Sequence, residues 1–119
     1  MREQTSQYML RRIRQLAACV DDGIITEMEM VRALLDLFSA TEHADPLIVL
    51  ELLAIVPEKV QDRFKVAIRG VLNPGYSRHG LRRGGGPIMT EEELRADAQI
   101  RTCNVRRWAE LIVPLLPST

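Results

Sequence analysis

Residues 24–38 read IITEMEMVRALLDLF, and this stretch carries the signals that decide the fold. Its apolar side chains recur every three or four residues, which places them on one face of an α-helix. They are Met28, Val31, Leu34, Leu35 and Phe38. Thr26 followed three residues later by Glu29 is typical of a capping box at a helix start. The sequence therefore predicts a helix over residues 27–40.

Similar patterns predict helices on either side of this one. Apolar residues at helical spacing indicate a helix over residues 3–20, which Asp21-Asp22-Gly23 ends because glycine accepts the left-handed cap conformation. Pro57 opens another helix, whose apolar residues keep a helical period as far as Leu72. Asn73-Pro74-Gly75 then ends it.

The segment between residues 47 and 56 is apolar almost all round. Residues 47–56, LIVLELLAIV, contain one charged side chain, Glu51, and follow Asp45-Pro46, a favoured helix start. A buried strand is the competing interpretation, but the leucine content and the Asp-Pro start favour a helix. Such a helix lies either in the centre of a core or in an interface. The candidate interface contacts on this segment are Leu47, Val49, Leu50 and Leu53.

The last helix is predicted to follow Thr90, which with Glu93 repeats the capping-box pattern. Thr102-Cys103-Asn104 are poor helix formers, so a division into two pieces is an open alternative. Trp108, the only tryptophan, is expected to anchor the core, and an interface contact is the alternative role.

The predicted fold is all-α, a compact bundle of five helices, or six if the last one divides. The length of 119 residues is that of one domain. Within it we distinguish a helical body (residues 1–72), a basic Gly-rich loop (73–89) and a C-terminal helical segment (90–116). The last segment is too short to hold a core of its own, so it should pack on the body.

The basic loop, NPGYSRHGLRRGGGPIM, lacks the apolar spacing of a helix or a strand. Its candidate partner or anion contacts are Tyr76, Arg78, His79, Arg82 and Arg83. Glycine lets a backbone approach a phosphate, arginine supplies paired donors, and a tyrosine can stack on a base. The loop lacks the Gly-Lys-Ser/Thr ending of a nucleotide-binding P-loop. A simple connector, a protein contact and a nucleic-acid contact all remain open.

Charge is segregated along the chain although the formal net charge is zero. Residues 1–20 carry a net +3, residues 21–58 a net −8, residues 59–89 a net +6 and residues 90–119 a net −1. Either the opposite blocks neutralise each other within the fold, or they form a two-faced surface that attracts a charged partner.

The corner after Val20 resembles the second half of an EF-hand calcium loop. If Gly23 is the sixth residue of that loop, Ala18 and Val20 stand at the first and third positions, where calcium requires oxygen ligands. Their side chains cannot bind the ion. We therefore expect a capped helix–turn–helix corner without a metal.

No residue pattern is typical of a catalytic site, so we expect that the protein is not an enzyme and binds no cofactor. The two histidines and two cysteines do not follow a zinc-binding spacing. Cys19 and Cys103 are expected to be buried thiols in a reducing compartment. Because the apolar runs are shorter than the roughly 18 residues of a membrane span and no secretory signal is recognisable, we expect a cytoplasmic protein without a membrane partner.

These features favour a small helical protein-interaction module, such as an adaptor, a regulator or an assembly component. Its partner would be another protein or a second copy. The alternative is a nucleic-acid-binding regulator that contacts phosphates through the basic loop. The zero net charge counts against this alternative, since domains of that kind are usually basic.

Overall fold

A computed structural model describes residues 2–78 and 90–117, and every regular element within these ranges is helical. The helices are α1 (Arg2–Asp21), α2 (Glu27–Ser39), α3 (Pro46–Ile55), α4 (Glu58–Gly70) and α5 (Glu91–Ile112), and a single 3₁₀ turn (Val113–Leu115) follows them. The predicted all-α fold of five helices is confirmed.

The helix starts form as the local sequence predicts. The Thr26 hydroxyl accepts a hydrogen bond from the Glu29 amide at 3.1 Å, and the Glu29 carboxylate accepts one from the Thr26 amide at 3.1 Å. This reciprocal pair is the predicted capping box. Gly23 has a φ of 74°, the left-handed conformation that ends α1. The Asp45 carboxylate caps α3 by accepting from the Leu47 amide at 3.0 Å.

The centre of the core lies on α2, which packs against α1, α4 and α5. The Phe38 ring stacks on the indole of Trp108, with centroids 4.9 Å apart and planes inclined by 21°. Phe64 of α4 meets Phe38 edge-on at 6.5 Å. Aliphatic side chains of the five helices fill the space around these three rings. The predicted role of Trp108 as a core anchor is confirmed.

The last helix is continuous from Glu91 to Ile112, so the alternative of a division at Thr102 to Asn104 does not hold. The Thr102 hydroxyl donates to the Ala98 carbonyl at 2.7 Å, one turn back along α5. The Asn104 side-chain amide donates to the Ser39 carbonyl at 2.9 Å, at the end of α2. Both polar side chains therefore have partners within the continuous helix, and the tertiary bond of Asn104 helps to offset the poor local propensity.

Ion pairs join the acidic segment 21–58 to the basic segments on both sides of it. They are Arg14 to Glu51 at 3.7 Å, Lys59 to Asp21 at 3.5 Å, Arg63 to Glu27 at 3.3 Å, and Arg78 to Asp36. The first three lie in solvent and each contributes little to stability. Together they support the interpretation that the opposite charge blocks neutralise each other within the fold.

Candidate functional site

Only one side of α3 faces the core, although nearly all of its side chains are apolar. Ile48, Val49 and Leu52 are buried, whereas Leu47 is 73% exposed and Leu50 is 62% exposed. The helix packs on α1 and α5, so it lies at the periphery of the bundle. Its outer side therefore presents leucine side chains to solvent.

The exposed residues of α3 form one row. Leu47, Leu50 and Ala54 are exposed and are separated by three and four residues, the spacing that places side chains on the same face of a helix. Glu51 lies at the edge of this row and forms the 3.7 Å ion pair with Arg14 of α1. We call Leu47, Leu50 and Ala54 the α3 row.

A cavity of about 160 Å³ opens beside the C-terminal half of α3. Its walls are largely apolar, with Leu53 contributed by α3, Phe64 by α4 and Leu115 to Pro117 by the end of the chain. Gln61 and Lys65 are the polar side chains that line it. The α3 row and this cavity are adjacent, since Leu50 and Leu53 are neighbours along one helix.

The candidate apolar contacts predicted from the sequence separate into two groups. Leu47 and Leu50 are on the surface, and Leu53 is half-buried at the cavity. Val49 and Trp108 have exposed fractions of 1% and 0%, so they belong to the core and present no surface to a partner. Val49 is buried because the helical register places it on the core side of α3, away from the α3 row.

The first part of the basic loop, as far as Arg78, is held against the bundle. The Arg78 side chain is only 16% exposed and forms an ion pair with Asp36 of α2. Its guanidinium also donates to the Arg32 carbonyl at 3.3 Å and to the Tyr76 hydroxyl at 3.4 Å. Two of the predicted contact residues, Tyr76 and Arg78, are thus engaged within the chain.

The environment of Arg78 keeps its guanidinium charged. Burial alone would lower the pKa of Arg78, because it removes water from the cation. Hydrogen bonds to Tyr76 and Asp36, together with the attraction of the Asp36 carboxylate, outweigh burial and raise the pKa of Arg78 above its ordinary value. The guanidinium that contacts α2 therefore stays charged across the neutral pH range.

Two residues of α5 hold this part of the loop, and sequence reasoning assigned no such role to either of them. The Arg106 guanidinium donates to the backbone carbonyls of Val71 (3.3 Å), Asn73 (3.2 Å) and Tyr76 (3.1 Å). The Thr102 hydroxyl accepts from the Arg78 amide at 2.9 Å. Partners that lie 24 to 35 residues away leave no signal in a local pattern.

The remaining candidates of the basic loop, His79, Arg82 and Arg83, lie outside the described residues. Their contacts, and the nucleic-acid interpretation that depends on them, stay predictions. In residues 2–78 and 90–117, no group of three or more His, Cys, Asp or Glu side chains is placed to hold a metal ion.

The two thiols are more exposed than the sequence predicts. Cys19 is half-buried and Cys103 is exposed, and both are free. The predicted burial of Cys103 is wrong, because this residue lies on the outer side of α5, between the buried Thr102 and Asn104.

The functional proposal rests on the fold and on the geometry of the site, because no known protein is similar enough to this chain to guide it. No protein-family model matches the chain, and neither a curated protein nor a solved structure matches it. Among the described residues, no helix combines the length and the apolar character needed to cross a membrane.

Proposed function

We propose that this chain is a small helical protein-interaction module, an adaptor, regulator or assembly component, which binds a protein partner through the outer side of α3. The observation that carries the proposal is the exposure of Leu47 and Leu50, one turn apart on a helix whose other side completes the core. Burying a leucine side chain on a partner gains about 1.5–3 kcal/mol, so this surface favours association.

The clustering of these leucines distinguishes them from exposed apolar residues that stand alone. Single exposed aliphatic side chains are ordinary on soluble proteins, and Val66 on α4 and Ile100 on α5 are of that kind. At α3, two exposed leucines adjoin a largely apolar cavity. An exposed anchor beside an apolar recess is characteristic of the central part of a protein interface.

An affinity-capture experiment tests the proposal. The immobilised protein and a Leu47→Glu, Leu50→Glu double variant are incubated with host lysate, and the retained proteins are identified by mass spectrometry. Val66→Glu is the matched control, because Val66 is 74% exposed on a different helix. We expect a specific protein to be retained by the wild type and by the control and to be lost by the α3 variant.

Folding must be unchanged for this comparison, and circular dichroism checks it. Substitutions at exposed positions usually change the free energy of unfolding by less than about 0.5 kcal/mol. Equal retention of every protein by all three folded baits would refute the proposal, as would the absence of any retained protein.

A mobility-shift experiment separates this function from the nucleic-acid alternative. Phosphate contacts predict binding of labelled DNA or RNA at low salt that weakens steeply as salt increases. On the proposed function we expect no such shift, and a salt-sensitive shift would favour the alternative.

A cytoplasmic location belongs to the proposal as well.

A further inference from the structure

We infer that residues 113–117, which follow α5, form a strap that opens away from α4 while the five helices stay folded. Its opening gives access to the apolar cavity between α3 and α4, so the strap is a movable cover built into the fold. The inference does not rest on the proposed function, because the motion belongs to this chain alone and its test needs no partner.

Few apolar contacts hold the strap in place. None of its residues, all of which the structure describes, is buried, and within it only Val113 and Leu116 pack against the hydrophobic core. Leu115 is 50% exposed, and Pro114 and Pro117 are exposed as well. A segment with so little buried apolar surface opens at a lower free energy than the helices beside it.

Among the described residues, one hydrogen bond joins the strap to another helix. The Arg69 guanidinium of α4 donates to the Pro117 carbonyl at 2.9 Å, on the surface, where water competes for both groups. Within the strap, the Leu116 amide donates to the Val113 carbonyl at 3.1 Å and closes the single 3₁₀ turn. This turn can stay intact when the strap moves, so opening breaks one exposed hydrogen bond to the bundle.

The buried surface of α5 ends where the strap begins. Trp108, Ala109 and Ile112 have no exposed surface, whereas Val113 is half-buried and Pro114 is exposed. The contacts that anchor α5 in the core therefore remain when the strap moves. The opening is local, and the bundle keeps its fold.

The cavity beneath the strap shows that the strap fits the helices loosely. A space of about 160 Å³ lies between residues 115–117 on one side and Val56 of α3 and Phe64 of α4 on the other. Side chains that face such a space lack partner atoms there, so little contact is lost when the strap leaves. Val56 and Phe64, which are 3% and 1% exposed, then gain access to solvent.

The helices keep the shape of this recess without the strap. The Gln61 side-chain amide donates to the Val56 carbonyl at 3.3 Å, which joins the start of α4 to the end of α3. Phe64 is held from the core side by its edge-on contact with Phe38. Opening therefore uncovers an apolar recess that is already formed.

Cysteine labelling tests the inference, in a background with Cys19→Ser and Cys103→Ser. Val56→Cys places a thiol in the wall of the cavity, and Val49→Cys places one on the core side of the same helix, away from the strap. With an aromatic disulfide reagent and no denaturant, we expect Val56→Cys to react at least about tenfold faster than Val49→Cys. Equal rates would overturn the inference.

Substitutions that weaken the hold on the strap show whether its opening limits the reaction. Arg69→Ala removes the hydrogen bond to Pro117, and Leu116→Ala removes most of the apolar anchor. Each should raise the rate at Val56→Cys by about threefold to tenfold. Arg11→Ala, at an exposed position of α1, is the control and should leave the rate unchanged. A rate that neither Arg69→Ala nor Leu116→Ala changes would overturn the inference, because the reagent would then enter without any movement of the strap.

The dependence on urea separates local opening from global unfolding. Below the unfolding transition, the rate at Val56→Cys should be nearly independent of urea, since opening of the strap exposes little surface. The rate at Val49→Cys should rise steeply, since this residue becomes accessible when the core unfolds. An equally steep rise at both positions would show that the strap opens only with the whole fold, and would overturn the inference.

Amide hydrogen exchange of the wild-type protein gives a second measurement, which needs no substitution beside the core. The Leu116 amide should exchange through a local opening that low urea does not affect. The Trp108 amide, in the buried part of α5, should exchange through global unfolding and respond steeply to urea. The same urea dependence at both amides would overturn the inference.

Discussion

Replacing Arg78 with alanine tests whether the start of the basic loop is part of the folded structure or an arm available to partners. The side chain makes three kinds of contact: an ion pair with Asp36, a bond to the Arg32 carbonyl and a bond to the Tyr76 hydroxyl. All three are lost in Arg78→Ala. If the loop were a free arm, their removal would leave the free energy of unfolding unchanged.

The structure sets the size of the expected effect. A hydrogen bond to a charged group contributes about 1.5–3 kcal/mol. The Asp36 side chain is 47% exposed, so water replaces part of what Arg78 supplied. The Arg32 carbonyl lies within α2 and keeps its helical hydrogen bond. We therefore expect Arg78→Ala to lower the free energy of unfolding by about 1–2 kcal/mol, nearer the low end of the range for charged groups.

Urea unfolding of a double-mutant cycle measures the effect. Trp108, which is buried and stacked on Phe38, gives the fluorescence signal. Arg78→Ala, Asp36→Ala and the double variant should show a coupling energy of about 1 kcal/mol between the two side chains. Because the pKa of Arg78 is raised from an already high value, its charge stays constant across the neutral range. A coupling below about 0.3 kcal/mol would refute the contact.

Two further substitutions test the continuity of α5 and the turn at Gly23 between α1 and α2. Asn104→Ala should lower the free energy of unfolding by about 1–3 kcal/mol, because it leaves the Ser39 carbonyl without its donor. Cys103→Ala, at the exposed neighbouring position, is the control and should change the free energy by less than about 0.5 kcal/mol. Urea unfolding measures both. Gly23→Ala should cost about 1 kcal/mol through its positive φ alone, since nothing lies within 4 Å of the added methyl group, and thermal unfolding measures it. Gly75→Ala, which also meets open space, should be neutral or slightly stabilising, and the same loss at both glycines would contradict the backbone explanation.

Local chemistry accounts for the part of the fold that could be predicted. The capping box of Thr26 and Glu29 joins residues three positions apart, and Asp45 caps the amide of Leu47 two positions away. Such bonds depend on the residues in one short stretch, so their pattern is visible in the sequence. The same holds for the apolar periodicity that predicted the five helices.

Long-range bonds account for the part that could not be predicted. Asn104 is 65 residues from Ser39, and Arg78 is 42 residues from Asp36. No local pattern distinguishes a polar residue that finds a distant partner from one that ends a helix, so the continuity of α5 was left open. The exposed side of α3 was left open for a related reason, since its nearly uniform apolar composition does not show which side faces the core.

The contact between Phe38 and Trp108 has a consequence for folding during synthesis. The two rings are 70 positions apart, and α5 supplies the second one only after α1 to α4 have been synthesised. Until then Phe38 and its neighbours on α2 lack the cover that α5 supplies, and the nascent chain exposes apolar surface of the kind that chaperones bind. Synthesis of α5 is therefore the step that allows the core to close.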